Sequence, residues 1–219
     1  MTQTEVELHQ LKLEVVNMWK LVSEQMKKSM TALATMDKKL AEEVLLGEKR
    51  VNQAEIDIDS HCENIFALFN PVANDLRLVL SLLKINGSLE RIGDIAFSVA
   101  KFVRKSDGYN YDYLIAQTHT LEMFEEASDL IIDVMKAFET ENTQIAQDIF
   151  KRDKGLNQLN RSAREFIINY IKQHPQEVEE CLRVLSIFRK LERAGDQSKV
   201  IAEEIIFYIE AKVLKHSKK

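Results

Sequence analysis

Two short stretches hold the residues best placed to do chemistry. Residues 89–94 read LERIGD and residues 191–196 read LERAGD. Residues four apart on a helix share a face, so Glu90 projects with Asp94, and Glu192 with Asp196. Like charges at that spacing oppose a helix by roughly 0.2–0.5 kcal/mol, and a buried, uncompensated pair costs far more. A repeated acidic pair therefore calls for a positive partner. Glu90 has Asn86, Gly87, Gly93 and Asp94 as its three- and four-residue neighbours, none of them a cation. Glu192 has Arg189, and Asp196 has Arg193 and Lys199. A bound metal ion could supply the missing charge; the plainer reading is two solvated acidic faces.

The elements that must position these acids are helices. With only two prolines, six glycines and 7% aromatic residues in 219 positions, little material remains for strands and their turns. Leu8, Leu11, Val15, Met18, Val22, Met26, Leu33, Leu40 and Val44 mostly recur at three- or four-residue steps. That spacing predicts one helix of about ten turns, with Gly47 as its C-cap. Further helices are expected at 48–69, 72–105, 112–139, 142–173 and 175–212, punctuated by Pro71, by the SDGYNY turn with Gly108 and Asn110, and by Pro175. Each half then has three helices, with the LER(I/A)GD motif in the third. At the motif offset, Leu83, Ile85, Leu89, Glu90, Arg91, Gly93, Asp94 and Ala100 match Leu185, Ile187, Leu191, Glu192, Arg193, Gly195, Asp196 and Ala202. The expected architecture is all-α: two tandem three-helix bundles, residues 1–107 and 108–219, made by internal duplication into six antiparallel helices.

Antiparallel neighbours allow the acids' partners to be inferred. If helices two and three reverse near residue 71, residues equidistant from it lie level, setting Glu90 against Asn52 and Asp94 against Glu48. A reversal between residues 174 and 175 sets Glu192 against Asn157 and Asp196 against Asp153. The candidate metal ligands are thus Glu48, Asn52, Glu90 and Asp94 in one half, and Asp153, Asn157, Glu192 and Asp196 in the other. Three carboxylates and an amide form an oxygen-rich site suited to iron, manganese or magnesium. No histidine joins them, unlike the Glu-x-x-His pattern of di-iron bundles or nitrogen-ligated catalytic zinc. Gly93 and Gly195 cost a helix about 0.5–1 kcal/mol each relative to alanine and are expected where helices approach closely. Glu55, Asp59 and Glu63 prolong the first acidic stripe, as a solvated face or as extra ligands, whereas Asn160 and Arg164 stand among their counterparts. With fewer cations nearby, the first site is expected to hold metal more tightly.

Other features narrow the class. A net charge of -5 argues against nucleic acid as the main partner. No apolar run approaches the roughly 18 residues of a membrane span, and the start MTQTEVELHQ has no signal-segment pattern, so a cytoplasmic location is expected. Cys62 and Cys181 belong to no metal-binding pattern and are expected to be buried apolar residues. His9, His61, His119, His174 and His216 share no ligand spacing and are read as surface or capping residues; Trp19 is read as core and the ending KVLKHSKK as a solvated tail. No motif places a nucleophile with a general base, and no glycine-rich phosphate loop occurs, so no catalysis is expected. The competing classes are a carboxylate-bridged metalloenzyme activating water or dioxygen and a purely structural helical scaffold. Long apolar stripes leave a homodimer open.

The segments NPVANDLRLVLSLLKINGSLERIGDIAFSVAK and LRVLSIFRKLERAGDQSKVIAEEIIFYI resemble the paired signature segments of the PhoU family of phosphate-uptake regulators. The resemblance spans nearly the whole chain and rests on Pro71, Ala73, Asp75, Leu76 and Arg77 as well as on both LER(I/A)GD motifs. It implies a cytoplasmic, six-helix, two-repeat bundle carrying iron or zinc clusters on paired acidic motifs. Such a protein would damp phosphate-starvation signalling by contacting a sensor histidine kinase and the ATPase of a high-affinity phosphate transporter, reaching the membrane through these partners. Related modules also serve low-affinity or sodium-coupled phosphate transporters. The family's ligand pairs fall on Glu90/Asp94, Glu192/Asp196, Glu48/Asn52 and Asp153/Asn157; Asn52 and Asn157 depart from the acidic pattern, and the second half reads HPQEVEECLR in place of P-x-A-x-D-L-R.

Overall fold

The computed structural model describes residues 2–106 and 109–214, without the side chains of residues 153 and 154. Gly108, His216 and the end of the basic tail lie outside the described residues. Helix α1, Gln3–Thr35, opens with a capping box in which Thr2 and Glu5 satisfy each other's backbone N–H groups. It closes at Met36, whose backbone is left-handed. Asp37 then caps α2, Lys38–Phe69, accepting from the amides of Lys39 and Leu40 at 2.8 and 3.1 Å. The single long helix expected up to Gly47 is therefore two helices. The apolar spacing runs through the reversal without a glycine or proline, and the turn rests on Met36 and the Asp37 cap. Gly47 is no cap: it lies buried inside α2, where a Cβ would meet the Gln25 side chain of α1 at 2.0 Å.

Asn70 and Pro71 separate α2 from α3, Ala73–Lys105. Short α4, Asp112–Gln117, is divided from α5, Thr120–Glu139, by left-handed His119, so the helix expected over 112–139 is broken near its start. Asn142 caps α6, Thr143–Gln173; a 3-10 turn, Pro175–Glu177, leads into α7, Val178–Glu210. Among the described residues the regular structure is entirely helical.

Helices α1, α2 and α3 pack on one another, as do α5, α6 and α7. The two groups join where α3 meets α7 and α1 meets α5, and one apolar core runs through both. Trp19 of α1 is fully buried, as expected, and its Nε1–H donates to the Ile131 carbonyl of α5 at 3.1 Å. Buried Glu204 of α7 accepts from Lys84 of α3 at 3.1 Å. Cys62 and Cys181 are buried free thiols, and burial pushes the Cys62 thiol up to about 12.

Candidate metal centre

The first acidic site forms along the α2–α3 seam. On α2 the row is Glu48, Asn52, Glu55 and Asp59; on α3 it is Asn86, Glu90 and Asp94. The seam can close because Gly93 has no side chain. A Cβ there would sit 2.9 Å from Val51 Cγ1, nearer than carbon atoms ordinarily approach. The mid-helix glycine thus marks a close helix contact, in keeping with its cost in helix propensity.

Glu48 and Asp94 meet across this seam, the pair placed level by a reversal at residue 71, and they share a hydrogen bond. Because two carboxylates can form one only if a proton lies between them, the contact favours the protonated form of Glu48. Burial, then this bond, then repulsion from Asp94 and Glu90 push Glu48 up from 4.5 to about 7. Burial chiefly, with Asp94 and Glu55 adding repulsion and Arg91 opposing, also raises Glu90. Glu55 is raised by burial, Asp59 and Asp94, again against Arg91. Asn52 is exposed on the same row, and it is Glu55, one turn on, whose charge reaches Glu90. Glu55 and Asp59 are both half-buried, so the stripe there is more than a solvated face, whereas Glu63, farther along, is exposed as a solvated residue would be.

Asn86 joins the seam without having been singled out by sequence reasoning. It is fully buried and donates its amide to the Glu55 carbonyl at 2.9 Å and to Asp59 at 2.8 Å. Its Oδ1 is buried without a hydrogen-bond partner among the described residues. Three glutamates held above their ordinary range, beside an orphaned carbonyl oxygen, suit a hard or borderline cation. As placed, no three acidic, histidine or cysteine side chains among the described residues stand ready to grip one ion. The donor chemistry fits a metal, and holding one requires the carboxyl groups to turn toward a common point.

The second site is assembled differently. Glu192 accepts from Asn160 Nδ2 at 2.7 Å, and Asp196 accepts from Lys199 at 2.7 Å. Asn157, the expected partner of Glu192, is exposed and lines a shallow surface depression with Arg161 and Glu165. The 3-10 turn at Pro175–Glu177 accounts for the difference: it moves the reversal to about residue 176, from which Glu192 and Asn160 are equidistant. Asp153 falls on the α6 backbone, with its side chain outside the described residues. A histidine behaves unexpectedly too. His61, read as a surface or capping residue, is half-buried between two acids of α1, with Nδ1 2.8 Å from Glu14 and Nε2 3.2 Å from Glu7. No helical spacing could reveal this contact, since it joins two helices.

Fold and seam together define an all-helical bundle whose two three-helix groups pack side by side, one carrying an acidic face. The PhoU domain model matches residues 15–103 and 120–205, and the chain belongs to the PhoU family. It is 29% identical to the phosphate-specific transport system accessory protein PhoU of Escherichia coli strain K12, over 98% of this chain and 88% of that protein. Identity is also 29% to PhoU homolog 1 of Thermotoga maritima, over 96% of this chain and 90% of that one. The crystal structure of PhoU from Pseudomonas aeruginosa superposes with a TM-score of 0.88 at 27% identity, covering 96% of this chain and all of that one. That of the phosphate transport system regulatory protein PhoU from Streptococcus pneumoniae gives 0.86 at 26% identity, with 97% and 100% covered.

Proposed function

We propose that this chain is a metal-binding accessory protein of phosphate transport, a regulator rather than an enzyme. It holds phosphate-starvation signalling down by contacting a transporter ATPase, a sensor histidine kinase, or both. Membership in the PhoU family supports the phosphate connection, as do the names of relatives matched over nearly their full length. No described helix is long and apolar enough to cross a membrane, in keeping with a cytoplasmic protein that reaches the membrane through its partners. Residues 1–107 and 108–219 act as its two repeats.

The observation that carries the metal reading is the crowding of Glu48, Glu90 and Asp94, in which burial and mutual repulsion raise Glu48 and Glu90. Iron, zinc, manganese or magnesium would be held by Glu48, Glu90 and Asp94, with Asn52 and Glu55 within the same row of α2. The ion would add the positive charge that Arg91 alone does not supply to this face and would cross-link α2 to α3. In the second half, Asp153, Asn157, Glu192 and Asp196 form the weaker site, since Asn160 and Lys199 already engage two of its acids.

The deciding experiment is a pull-down of tagged protein from phosphate-replete and phosphate-starved cells, with metal analysis of the eluate. Co-elution of a phosphate-transporter ATPase or a sensor kinase, together with bound metal, is the expected result. Recovery of a sodium-coupled phosphate transporter alone would move the chain to that system, and stoichiometric absence of metal would remove the metal from the account.

A further inference from the structure

A second surface lies away from the acidic seam, where α1 of the first three-helix group meets α5 of the second. Here a groove of about 430 Å³ has a floor of Met26, Met30, Ile131 and Ile132. Ile132 keeps 48% of its surface exposed although it belongs to a predominantly apolar lining. Methionines suit such a floor, because their unbranched, polarizable side chains adapt to an incoming apolar face. The rim carries Glu24, Glu125 and Asp129 against the single lysine Lys27. Lys28 lies 3.0 Å from Glu24, and Arg152, drawn mainly to Glu126 and Asp133, is 3.9 Å from Asp129. Arg152 brings Glu126 and Asp133 with it, so with these and the two neighbouring cations included five acids stand against three cations. Ser23, also lining the groove, has a buried hydroxyl with no hydrogen-bond partner among the described residues.

The geometry points to a docking groove for a basic amphipathic helix of a partner protein: apolar residues at three- and four-residue spacing on the methionine and isoleucine floor, flanked by lysines or arginines reaching Glu24, Glu125 and Asp129. Helix-in-groove recognition uses this combination of apolar anchors and flanking charge, and a predominantly acidic rim steers a basic partner and sets its orientation. The exposed Ile132 supplies apolar area, and the acids select a cationic helix over an acidic one. Because the groove straddles α1 and α5, an occupant would bind both three-helix groups at once. The inference depends neither on metal at the α2–α3 seam nor on a phosphate-transport partner, so it fails or stands apart from the proposed function.

The test uses the full chain and three synthetic, fluorescein-labelled 18-residue peptides: a helix with leucines on one face and lysines and arginines beside them, the same helix with glutamates for the basic residues, and a scrambled peptide of the first composition. Anisotropy titrations at physiological salt should give saturable 1:1 binding of the basic helix alone. The double substitution Glu125→Lys/Asp129→Lys should weaken it roughly tenfold, and Ile132→Lys by at least as much. Glu165→Lys, an exposed α6 position outside the groove, should change it less than about twofold. A benzophenone on the leucine face should cross-link to α1 and α5. Equal binding of the scrambled peptide, preference for the acidic helix, or equal losses from the Glu165 and groove variants would overturn the assignment. So would a dimer of the unliganded chain, seen by sedimentation, that Ile132→Lys dissociates, because a second copy would then be the occupant.

Discussion

Replacing Glu48 by glutamine in metal-free protein tests the crowding of the α2–α3 seam most directly. The folded protein keeps the Glu48 proton up to about pH 7, whereas the unfolded chain releases it near 4.5. Between those values the folded state binds more protons, so stability must fall as pH rises from about 4.5 to 7 and level off above. At about 1.4 kcal/mol per pH unit, the rise from 4.5 to about 7 sets an upper limit of about 3 kcal/mol for the lost stability. Glu48 is only half-buried, so solvent screening reduces this to about 1–2 kcal/mol. Glutamine cannot ionise and can donate its amide to Asp94. The variant should lose this part of the pH slope and be more stable than wild type by about 1–2 kcal/mol above pH 7, with little difference near pH 4.5. For a chain of 219 residues, that is a rise in Tm of about 3–6 °C.

The assay is thermal unfolding followed by circular dichroism in chelator-treated protein, across about pH 4.5–8. A wild-type Tm that stays flat or climbs through this window, or a Glu48→Gln protein that keeps the wild-type slope, would refute the crowded-carboxylate reasoning. Added metal should reverse the ranking, because an ion bound to the folded state stabilises it by mass action and the neutral amide of the variant would be a poorer ligand than the Glu48 carboxylate.

Three further outcomes follow from the same geometry. Glu90→Ala should remove more metal, by elemental analysis of protein purified without chelator, than Glu192→Ala, since Glu192 is already held by Asn160; an equal or larger loss at Glu192 would contradict the asymmetry. Gly93→Val should destabilise the protein by about 1–3 kcal/mol in urea titration through overpacking against Val51, and should lower metal content by parting α2 from α3. Trp19→Phe should cost about 1–3 kcal/mol in the same titration, because it removes the indole hydrogen bond to the Ile131 carbonyl and shrinks a fully buried side chain; a neutral effect would show that the bond contributes little to joining α1 and α5.

Much of this protein is legible along the chain because helix periodicity is local. The apolar spacing locates α2, α3, α6 and α7 to within a few residues, save for the start of α2, and the proline at 71 sets the α2–α3 hairpin closely enough to place Glu48 beside Asp94. Gly93 can be read from its helix cost before its contact with Val51 is known. Tertiary structure decided the rest wherever the cause lies outside the local pattern. Met36 turns the chain in a left-handed conformation that no glycine announces, and Gly47 is required by the crossing of Gln25 from another helix. A 3-10 turn after Gln173 carries Asn160, rather than Asn157, to Glu192. His61 sits between Glu7 and Glu14, and Asn86 against Glu55 and Asp59, because helix rotation and depth bring those side chains together. Spacing along one helix tells which residues share a face; what that face meets depends on the length and geometry of the connections and on packing between distant segments.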